Sequence, residues 1–568
     1  MEEFDEELAQ YGILAKNGKL VTKDNKKILK KEHKIIIDRV EIEQINFQKL
    51  QEKNIKEICI FRSEIKYLYF LKKNTIKIDF KACNFKNHII ARELYFKNEV
   101  IFHQCIFDAV VDFSKTKFDS RVDFLASVFK GKVRFIETQF QAEQSDNKTI
   151  ENDFREVIFK GRTSFFNATF KARVNFGISQ FQEEVRFIKT QFQAEQSNNE
   201  TIENDFRETI FKGKVAFDSL VLKARISFLF STFKDETFFL NINPNNFIFH
   251  NVEFNKINFI HIDDINAESN VESYVFQNTV FKDALSFKGM EFERLEFDNV
   301  LFNGVVTFSN TKLNTKPQFI NCTFSNQFNI EHQYIKYSDK DIENKINNIQ
   351  DKNDKFRALL NLRDLFRKLK SNRIAHHNLI DASELRTQEL YARELELKYQ
   401  ENKSLREKIE QWQLFFYHKL CDHHTDLLLN LKWLVVVVGF FVSVLFVLRY
   451  GDGNLLQFFN KDNDLLKILK DMLNIKALND SNVTYLILLY SFIGLFFVRT
   501  FFIFYYLVIF ILMLAISPYN LFSVVNFVVK GKLNSFLENT IMVAYALIMI
   551  LVLFSLQKTA RKNSIVPS

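Results

Sequence analysis

The chain has 568 residues, of which 66 are Phe, 13 Gly and 4 Pro, and its formal net charge is +8. A chain of this length can hold several domains. The scarcity of Gly and Pro argues against glycine-rich phosphate-binding loops and against long flexible linkers. The five Cys residues show no paired spacing, and the acidic start MEEFDEELAQ does not resemble a basic signal peptide. Both features predict reduced thiols.

Residues 1–75 mix Lys-rich stretches, such as KDNKKILKKEHK, with short apolar runs. The repeats that follow need a terminal segment that covers the open edge of the first repeat. We interpret 1–75 as this N-terminal cap, together with irregular early coils. The Lys run has no interleaved aromatic residues, so nucleic acid is not expected as a partner.

A ladder of Phe residues occupies 76–333, with steps that alternate between five and six residues. The repeat unit is therefore eleven residues, V-x-F-x-x-[S/T/A]-x-F-x-x-x, as in VDFLASVFKGK. Neither the period of a helix nor the alternation of a plain strand fits this spacing. Short extended segments joined by corners do fit, which predicts a solenoid. The side chains expected in its core are Phe102, Phe107, Phe113, Phe118, Phe124, Phe129, Phe135, Phe140, Phe165, Phe170, Phe176, Phe181, Phe187 and Phe192.

The position two residues before each Phe also faces inward, because side chains alternate along an extended segment. It holds in turn a Val, Thr or Ile and a small residue, so that rings and small neighbours fill a narrow core. This pattern resembles the pentapeptide-repeat proteins, whose unit has a central Leu or Phe and a small residue two before it. The resemblance implies a right-handed quadrilateral β-helix with 22 residues in each coil. The residue added at every second step departs from the family's period and leaves the corner geometry open. We expect roughly ten coils.

Two polar inserts, 141–153 and 193–205, interrupt the ladder. The stretch QAEQSDNKTIENDFRE returns 52 residues later as QAEQSNNETIENDFRE, an offset of four units and one eight-residue insert. We interpret this as a tandem duplication that places two similar loops on one edge, two coils apart. The loops could form a paired docking site, since loops carry binding. Alternatively, the duplication only lengthened the solenoid, and we favour this second hypothesis.

Residues 334–430 are predicted to form an α-helical linker domain. Phe356, Leu359 and Phe366 lie at helical spacing, and Asp339 is the expected N-cap of a first helix. A second helix follows from about residue 378, so we predict a helical hairpin with a basic, solvated face. The arrangement resembles the helical segment that joins β-helix and membrane in membrane-anchored bacterial pentapeptide-repeat proteins.

A transmembrane region is predicted at 431–557. Its apolar runs are 431–450, 484–517 and 536–557, and a basic tail, 558–568, follows. A cytoplasmic N-terminal part and a cytoplasmic basic tail require an even number of spans, so 484–517 would cross twice. As a single span it would hold Arg499 within the membrane, where a charge is costly and usually functional. Three or four spans stay open, with four slightly preferred, in a multi-pass protein of the inner membrane.

Motifs for chemistry are few. The sequence contains no G-x-G-x-x-G, phosphate loop or H-E-x-x-H, so no catalytic residue, cofactor or metal site is assigned. His418 and the stretch 421–424, Cys-Asp-His-His, were weighed as metal ligands. Because no distant ligand pair accompanies them, we prefer a solvated interfacial stretch. His376 and His377 are expected in a polar turn, and the stretch 450–453 is interpreted as a helix stop rather than a pore filter.

These observations predict a non-enzymatic integral membrane protein whose cytoplasmic β-helix acts as a protein-interaction scaffold. The expected partners are membrane lipid and a protein that the sequence does not name, and homo-oligomerisation stays open. A first alternative is an ion channel-like or transport protein regulated by the β-helix. A second alternative, a DNA-mimicking topoisomerase-binding protein, comes from the family resemblance. The near balance of acids and bases in the solenoid argues against this second alternative.

Overall fold

The computed structural model describes residues 8–20, 29–31, 33–142, 152–194, 204–262, 270–423, 426–450 and 536–563. The chain divides into two compact units, Met1–Lys336 and Tyr337–Ser568. The first unit is a β-solenoid of about 12 turns. The second unit is helical in the residues that the structure describes.

One coil of the solenoid contains four short strands, as in Val100–His103, Ile106–Phe107, Val111–Asp112 and Lys117–Phe118. Each strand pairs in parallel with the equivalent strand of the next coil. Val100 lies opposite Val122 and Lys117 lies opposite Gln139, an offset of 22 residues. Across the first polar insert the offset grows to 30, since Val122 lies opposite Asn152. The coil of 22 residues that the family resemblance implies is therefore confirmed.

Four series of strands run through the solenoid. The first contains Lys34–Asp38, Glu57–Phe61, Lys77–Lys81, Val100–His103, Val122–Asp123, Asn152–Asp153, Val174–Asn175, Asn204–Asp205, Ile226–Ser227 and Phe247–Ile248, with Leu29–Lys31 antiparallel at its start. The second contains Val40–Asn46, Glu64–Tyr69, Asn84–Phe85, Ile106–Phe107, Val128–Phe129, Ile158–Phe159, Gln180–Phe181, Ile210–Phe211, Thr232–Leu240, Glu253–Ile260, Val280–Phe281, Leu301–Phe302 and Thr323–Phe324. The third contains Ile89–Ile90, Val111–Asp112, Val133–Arg134, Thr163–Ser164, Val185–Ile188, Val215–Asp218, Leu285–Lys288, Val305–Ser309 and Asn329–Ile330. The fourth contains Lys73–Asn74, Tyr95–Phe96, Lys117–Phe118, Gln139–Phe140, Thr169–Phe170, Gln191–Phe192 and Val221–Leu222.

The later coils are less regular. Thr232–Leu240 and Glu253–Ile260 are long strands that each join the second and third series. Between them a short 3-10 helix, Pro244–Asn246, makes a turn. A separate four-stranded sheet contains Asn270–Gln277, Glu291–Asp298, Lys312–Leu313 and Gln318–Ile320.

Parallel pairing begins at Lys34, well before the Phe ladder becomes regular. In these first coils Ile37 and Ile60 occupy the inward position that Phe80 and Phe102 take later. The expected number of ten coils is therefore too low, because the count followed Phe and missed coils built on Ile. At this end the strand Ile13–Leu20 pairs antiparallel with Val40–Asn46, and helix α1, Phe47–Glu52, follows with Asn46 as its N-cap.

The alternation of five and six residues has a backbone cause. In the five-residue step from Phe124 to Phe129, Ala126 adopts the left-handed conformation with φ of 56°. The amide of Ser127 then donates to the carbonyl of Phe124 at 3.0 Å and closes a tight turn. The same conformation recurs every eleven residues, at Gln104, Lys115, Ala126 and Glu137. The corner geometry that the sequence leaves open is thus a left-handed corner in every five-residue step.

The helices of the second unit are α2, Asp339–Asn347; α3, Lys352–Ala375; α4, Leu379–Tyr399; α5, Leu405–Cys421; α6, Leu427–Tyr450; and α7, Phe536–Asn563. Helices α3 and α4 form the predicted hairpin, and His376 and His377 lie in the turn between them. The expectation that Asp339 is an N-cap is wrong. Ser338 caps α2, because its hydroxyl accepts the amide of Asp341 in a capping box.

Both predicted helices of this unit are also interrupted. Asp351 caps a new helix, α3, and Ser404 caps α5 in a second capping box with Glu407. The apolar run 431–450 lies within α6, and the run 536–557 lies within α7. Among the described residues one helix, α7, contains a segment that is long and apolar enough to cross a membrane, Val543–Ala560. The run 484–517, with Arg499, falls outside the described residues.

Candidate functional site

The Phe side chains expected in the core lie in the solenoid interior, each at 0 or 1% exposure. Each ring stacks on the equivalent ring of a neighbouring coil. Phe107 and Phe129, for example, have centroids 4.5 Å apart and planes inclined by 5°. Stacked rings in contact contribute packing energy beyond their buried area. Since these rings fill the interior, we look for binding on the outward faces of the solenoid.

The small residues of the repeat make hydrogen bonds that a purely steric interpretation did not predict. The hydroxyl of Ser127 donates to the carbonyl of Phe102 at 2.6 Å. Thr138 donates to Phe113 and Thr190 to Phe165 in the same way, each at 2.7 Å. Thiols also take this place, as Cys322 Sγ lies 3.2 Å from the carbonyl of Phe297. These bonds satisfy buried carbonyl groups, so the buried polar side chains at these positions are structural.

One edge of the solenoid carries a row of left-handed corners in consecutive coils. We call Glu156, Ile178, Glu208 and Phe230 the corner row; their φ angles are 58°, 62°, 56° and 60°. Backbone bonds connect them from coil to coil: Glu156 to Gly177, Ile178 to Arg207 and Glu208 to Leu229. Ile178 is 53% exposed and Phe230 is 58% exposed. The row therefore alternates acidic and large apolar side chains at the surface.

Ile178 and Phe230 are unfavourable at these corners on two counts. An L-residue in the left-handed region costs about 1–2 kcal/mol, and a β-branched residue is especially disfavoured there. Their side chains also remain in water, so hydrophobic burial does not offset this cost. Later corners of the solenoid instead hold Asn, which tolerates the conformation, at Asn241, Asn251, Asn278, Asn299, Asn310 and Asn321. Strained residues of this kind are concentrated at functional sites.

The duplicated loops begin on one strand series. Gln139–Phe140 and Gln191–Phe192 precede the two loops, and Thr169–Phe170 pairs with both strands. The predicted separation of two coils is thus confirmed for the flanking strands. Residues 143–151 and 195–203 lie outside the described residues, and the docking hypothesis for the loops stays a prediction. Each loop is followed closely by a corner-row residue, Glu156 or Glu208.

The outward charges of the solenoid are interleaved from coil to coil. Asp108 lies between Lys86 and Lys130, at 3.1 and 2.8 Å. Glu236 lies between Lys214 and Lys256, at 3.2 and 2.7 Å. Carboxylates placed in this way are neutralised locally and do not form a continuous acidic strip.

In the helical unit, a cluster of ionisable groups joins α4 to the end of α5. Glu394 Oε2 lies 3.0 Å from His418 Nδ1 and 3.3 Å from His423 Nε2. The two imidazole rings are stacked, with centroids 5.2 Å apart. After α5, Asp422 and His423 both adopt the left-handed conformation, with φ of 48° and 49°. This turn directs the chain so that His423 meets Glu394. We call Glu394, His418 and His423 the His–Glu cluster.

The electrostatics of the cluster favour a charged Glu394. Burial raises the pKa of Glu394, but the contacts with both imidazoles outweigh burial and hold this pKa at about 2. The hydrogen bond to Glu394 raises the pKa of His418, against burial, which lowers it. Burial and the nearby carboxylate of Asp422 raise the pKa of Asp339. A cleft of about 620 Å³ opens beside His418, with Asp339, Asp422, Asp426 and Lys432 in its lining.

The sequence indicates His418 and the stretch after it as candidate ligands, but it does not indicate Glu394. The expectation of a solvated stretch is wrong for His423, whose side chain is 1% exposed. Glu394 and His418 are 24 residues apart, and no short motif links them. Only the packing of α5 against α4 brings them together.

Comparison with known proteins adds no relatives: no protein-family model, no curated protein and no solved structure matches the chain. The resemblance to pentapeptide-repeat proteins therefore rests on the eleven-residue pattern of the sequence. The 22-residue coil of the solenoid is compatible with it.

Proposed function

We propose that the chain is a non-enzymatic, membrane-anchored scaffold whose solenoid docks a protein partner along the corner row. The observation that carries this proposal is the pair Ile178 and Phe230, exposed at strained corners two coils apart. Both residues destabilise the free chain, and their exposed side chains gain nothing from hydrophobic burial. Their presence is explained if a partner protein buries these side chains in a complex. Apolar anchors of this kind dominate the energetics of protein interfaces.

The chemistry of the row indicates the partner. Glu156 and Glu208 alternate with the two apolar side chains and are exposed. A segment that presents apolar side chains flanked by Lys or Arg would complement both properties. The ends of the two duplicated loops lie only a few residues before Glu156 and Glu208. The loops therefore adjoin the same docking surface in this proposal.

The anchor is the C-terminal apolar region. Leu547, Ile550 and Phe554 of α7 are 59, 50 and 65% exposed. Large apolar side chains exposed along a helix are stable in lipid and unfavourable in water. The proposal includes three or four spans in the inner membrane, a cytoplasmic solenoid, and the right-handed, four-sided form of membrane-anchored pentapeptide-repeat proteins.

The interleaved charges support protein docking over phosphate mimicry, because a DNA-like rod needs an unbroken acidic surface. The channel-like alternative makes a different prediction. Vesicles reconstituted with the full chain would show selective ion conductance if it were correct. They would show none if the protein acts as a scaffold alone.

Docking is tested by photo-crosslinking in cells. A photoreactive residue at position 208 lies within the corner row, and one at Lys189 occupies an exposed left-handed corner of the other edge. We expect a discrete protein adduct from position 208 and none from position 189. The double variant Ile178→Asn and Phe230→Asn should abolish the adduct. Equal adducts from both positions, or none from either, would reject the corner row as the docking site.

The loops are tested in the same assay. Residues 141–151 can be replaced by the three-residue corner Lys171–Ala172–Arg173, which connects the same two strand series in the coil between the loops. Residues 193–203 can be replaced in the same way. If the loops contribute to docking, the adduct from position 208 weakens. An unchanged adduct would show that the loops do not contribute to docking and that the duplication only lengthened the solenoid.

Membrane topology is tested with single Cys reporters. All five native Cys residues are buried, so a maleimide should label only an introduced thiol. Lys97→Cys should resist a membrane-impermeant maleimide in intact cells and react after lysis. Labelling of intact cells would place the solenoid outside the cytoplasm, and extraction of the protein by alkaline carbonate would exclude spanning helices.

A further inference from the structure

His423 is the least satisfied member of the His–Glu cluster. The residue is 3% exposed, yet neither of its ring nitrogens has a hydrogen-bond partner within the part of the chain that the structure describes. Nε2 lies near Glu394 but without the alignment of a hydrogen bond. A buried imidazole without a partner is costly, because it has lost its water and gained no replacement. The burial of His423 is explained if a ligand binds its ring nitrogens.

The geometry points to a divalent transition-metal ion of the Zn²⁺ type, bound by Glu394, His418 and His423. Donor atoms of these three residues all lie within 4.8 Å of one another. Ligands at about 2.0–2.2 Å from a tetrahedral ion are separated by about 3.3 Å. The two distances from Glu394 Oε2, 3.0 and 3.3 Å, are close to this value. The donor nitrogens of the two imidazoles lie within 4.8 Å of each other, so binding requires them to move closer together.

The donor types select the class of ion. Two imidazole nitrogens and one carboxylate suit Zn²⁺ and other first-row transition metals, whereas Mg²⁺ and Ca²⁺ prefer oxygen ligands alone. A water molecule from the cleft beside His418 would complete the coordination of the ion. Asp339 and Asp422 form a separate group with His418, in which the donor atoms lie within 4.8 Å of one another. The cleft also provides a route for the ion from the surface.

The surroundings hold His418 in place. The ring of Tyr391 meets His418 edge to face, with centroids 5.2 Å apart, and its hydroxyl donates to Glu343 at 2.8 Å. Lys419 and Lys432 are the cations that line the cleft, against the carboxylates of Asp339, Asp422 and Asp426. A bound ion would connect α4 to the turn between α5 and α6. It would thus act as a clip at the start of the apolar helices.

The test uses the purified full chain in detergent, prepared without a His-tag and stripped with a chelator. Zn²⁺ is the probe, and metal analysis after dialysis is expected to show about one ion per chain. X-ray absorption of the Zn²⁺ form should show a nitrogen and oxygen shell near about 2.0 Å with the scattering of two imidazoles. A shell of oxygen atoms only, or an ion content no higher than that of buffer-treated controls, would overturn the proposal.

Variants locate the site. Glu394→Gln and His423→Asn should each weaken Zn²⁺ binding by at least about tenfold, with circular dichroism confirming the fold. The matched controls are Glu389→Gln, a carboxylate on the same helix that pairs with Lys370, and His376→Asn with His377→Asn in the α3–α4 turn. The controls should bind like the wild type. If they weaken binding equally, or if Glu394→Gln binds normally, the ion lies elsewhere and the proposal fails.

Discussion

In the solenoid, Ser127, Thr138 and Thr190 each donate a buried hydroxyl to a Phe carbonyl of the neighbouring coil. In the helical unit, His423 is buried with two ring nitrogens that find no such partner among the described residues. The repeat explains the hydrogen bonds of the solenoid, since a small residue with a hydroxyl can occupy the equivalent position in successive coils. The helical unit has no period, so each buried polar group depends on one particular contact. The open ring nitrogens of His423 are therefore available to a ligand, whereas the satisfied hydroxyls of Ser127, Thr138 and Thr190 are structural.

The largest effect should come from the ring stack. Phe165 is fully buried between Phe135 and Phe187, so Phe165→Ala should lower the free energy of unfolding by about 3–5 kcal/mol. The adjacent Phe166 is 37% exposed, and Phe166→Ala should change it by less than about 0.5 kcal/mol. Denaturant unfolding followed by circular dichroism compares the two. Similar losses for both variants would contradict the assignment of inward and outward positions.

The hydroxyl bonds should give the next effect. Thr190→Val keeps the shape of the side chain but removes one of the two donors to the buried carbonyl of Phe165, which keeps the amide of Ala168. We expect a loss of up to about 1.5 kcal/mol in the free energy of unfolding. Thr190→Ser keeps the hydroxyl and serves as the control. If valine is tolerated as well as serine, the small positions are selected for size alone.

Relief of corner strain should be smaller and of opposite sign. Ile178→Asn is expected to raise the free energy of unfolding by about 1 kcal/mol, since Asn tolerates the left-handed conformation. The reverse exchange at another corner, Asn167→Ile, should lower it by a similar amount. A stabilised Ile178→Asn variant that no longer crosslinks would support docking. Loss of stability instead would show that Ile178 is structural.

The smallest effect concerns acid. Burial raises the pKa of Asp123. The close contact with His103 Nε2 at 2.7 Å, the hydrogen bond from the Leu125 amide and the charge of Arg121 outweigh burial and hold this pKa below its ordinary value. A carboxyl group with a lowered pKa in the folded state stabilises the fold above its unfolded pKa of about 4. That contribution is lost as the pH falls below about 4. Urea titrations at several pH values measure the free energy of unfolding. Asp123→Asn should reduce the fall of this free energy below a pH of about 4. An unchanged fall would show that other carboxylates cause it.

Much of the solenoid could be predicted because its period is local. The eleven-residue unit and the eight-residue inserts follow from the spacing of Phe residues, and the coil of two units was implied by the family resemblance. The left-handed corners could not be predicted in the same way. They are occupied by Gln, Lys, Ala and Glu as well as by Asn, so residue type does not reveal the conformation. The early coils were expected only as irregular coils of 1–75 and were left out of the coil count, because Ile replaces Phe there.

Less of the helical unit than of the solenoid could be predicted from the sequence. Its two capping boxes, Ser338 with Asp341 and Ser404 with Glu407, are local signals, although Asp339 was expected as the first cap and Ser404 was not predicted. The His–Glu cluster was not visible, because Glu394 and His418 belong to different helices. The repeat pattern alone was sufficient to establish a Phe-filled solenoid, since neighbouring coils are related by a constant offset. The meeting of Glu394, His418 and His423 was decided by helix packing and by a strained turn, which no local pattern specifies.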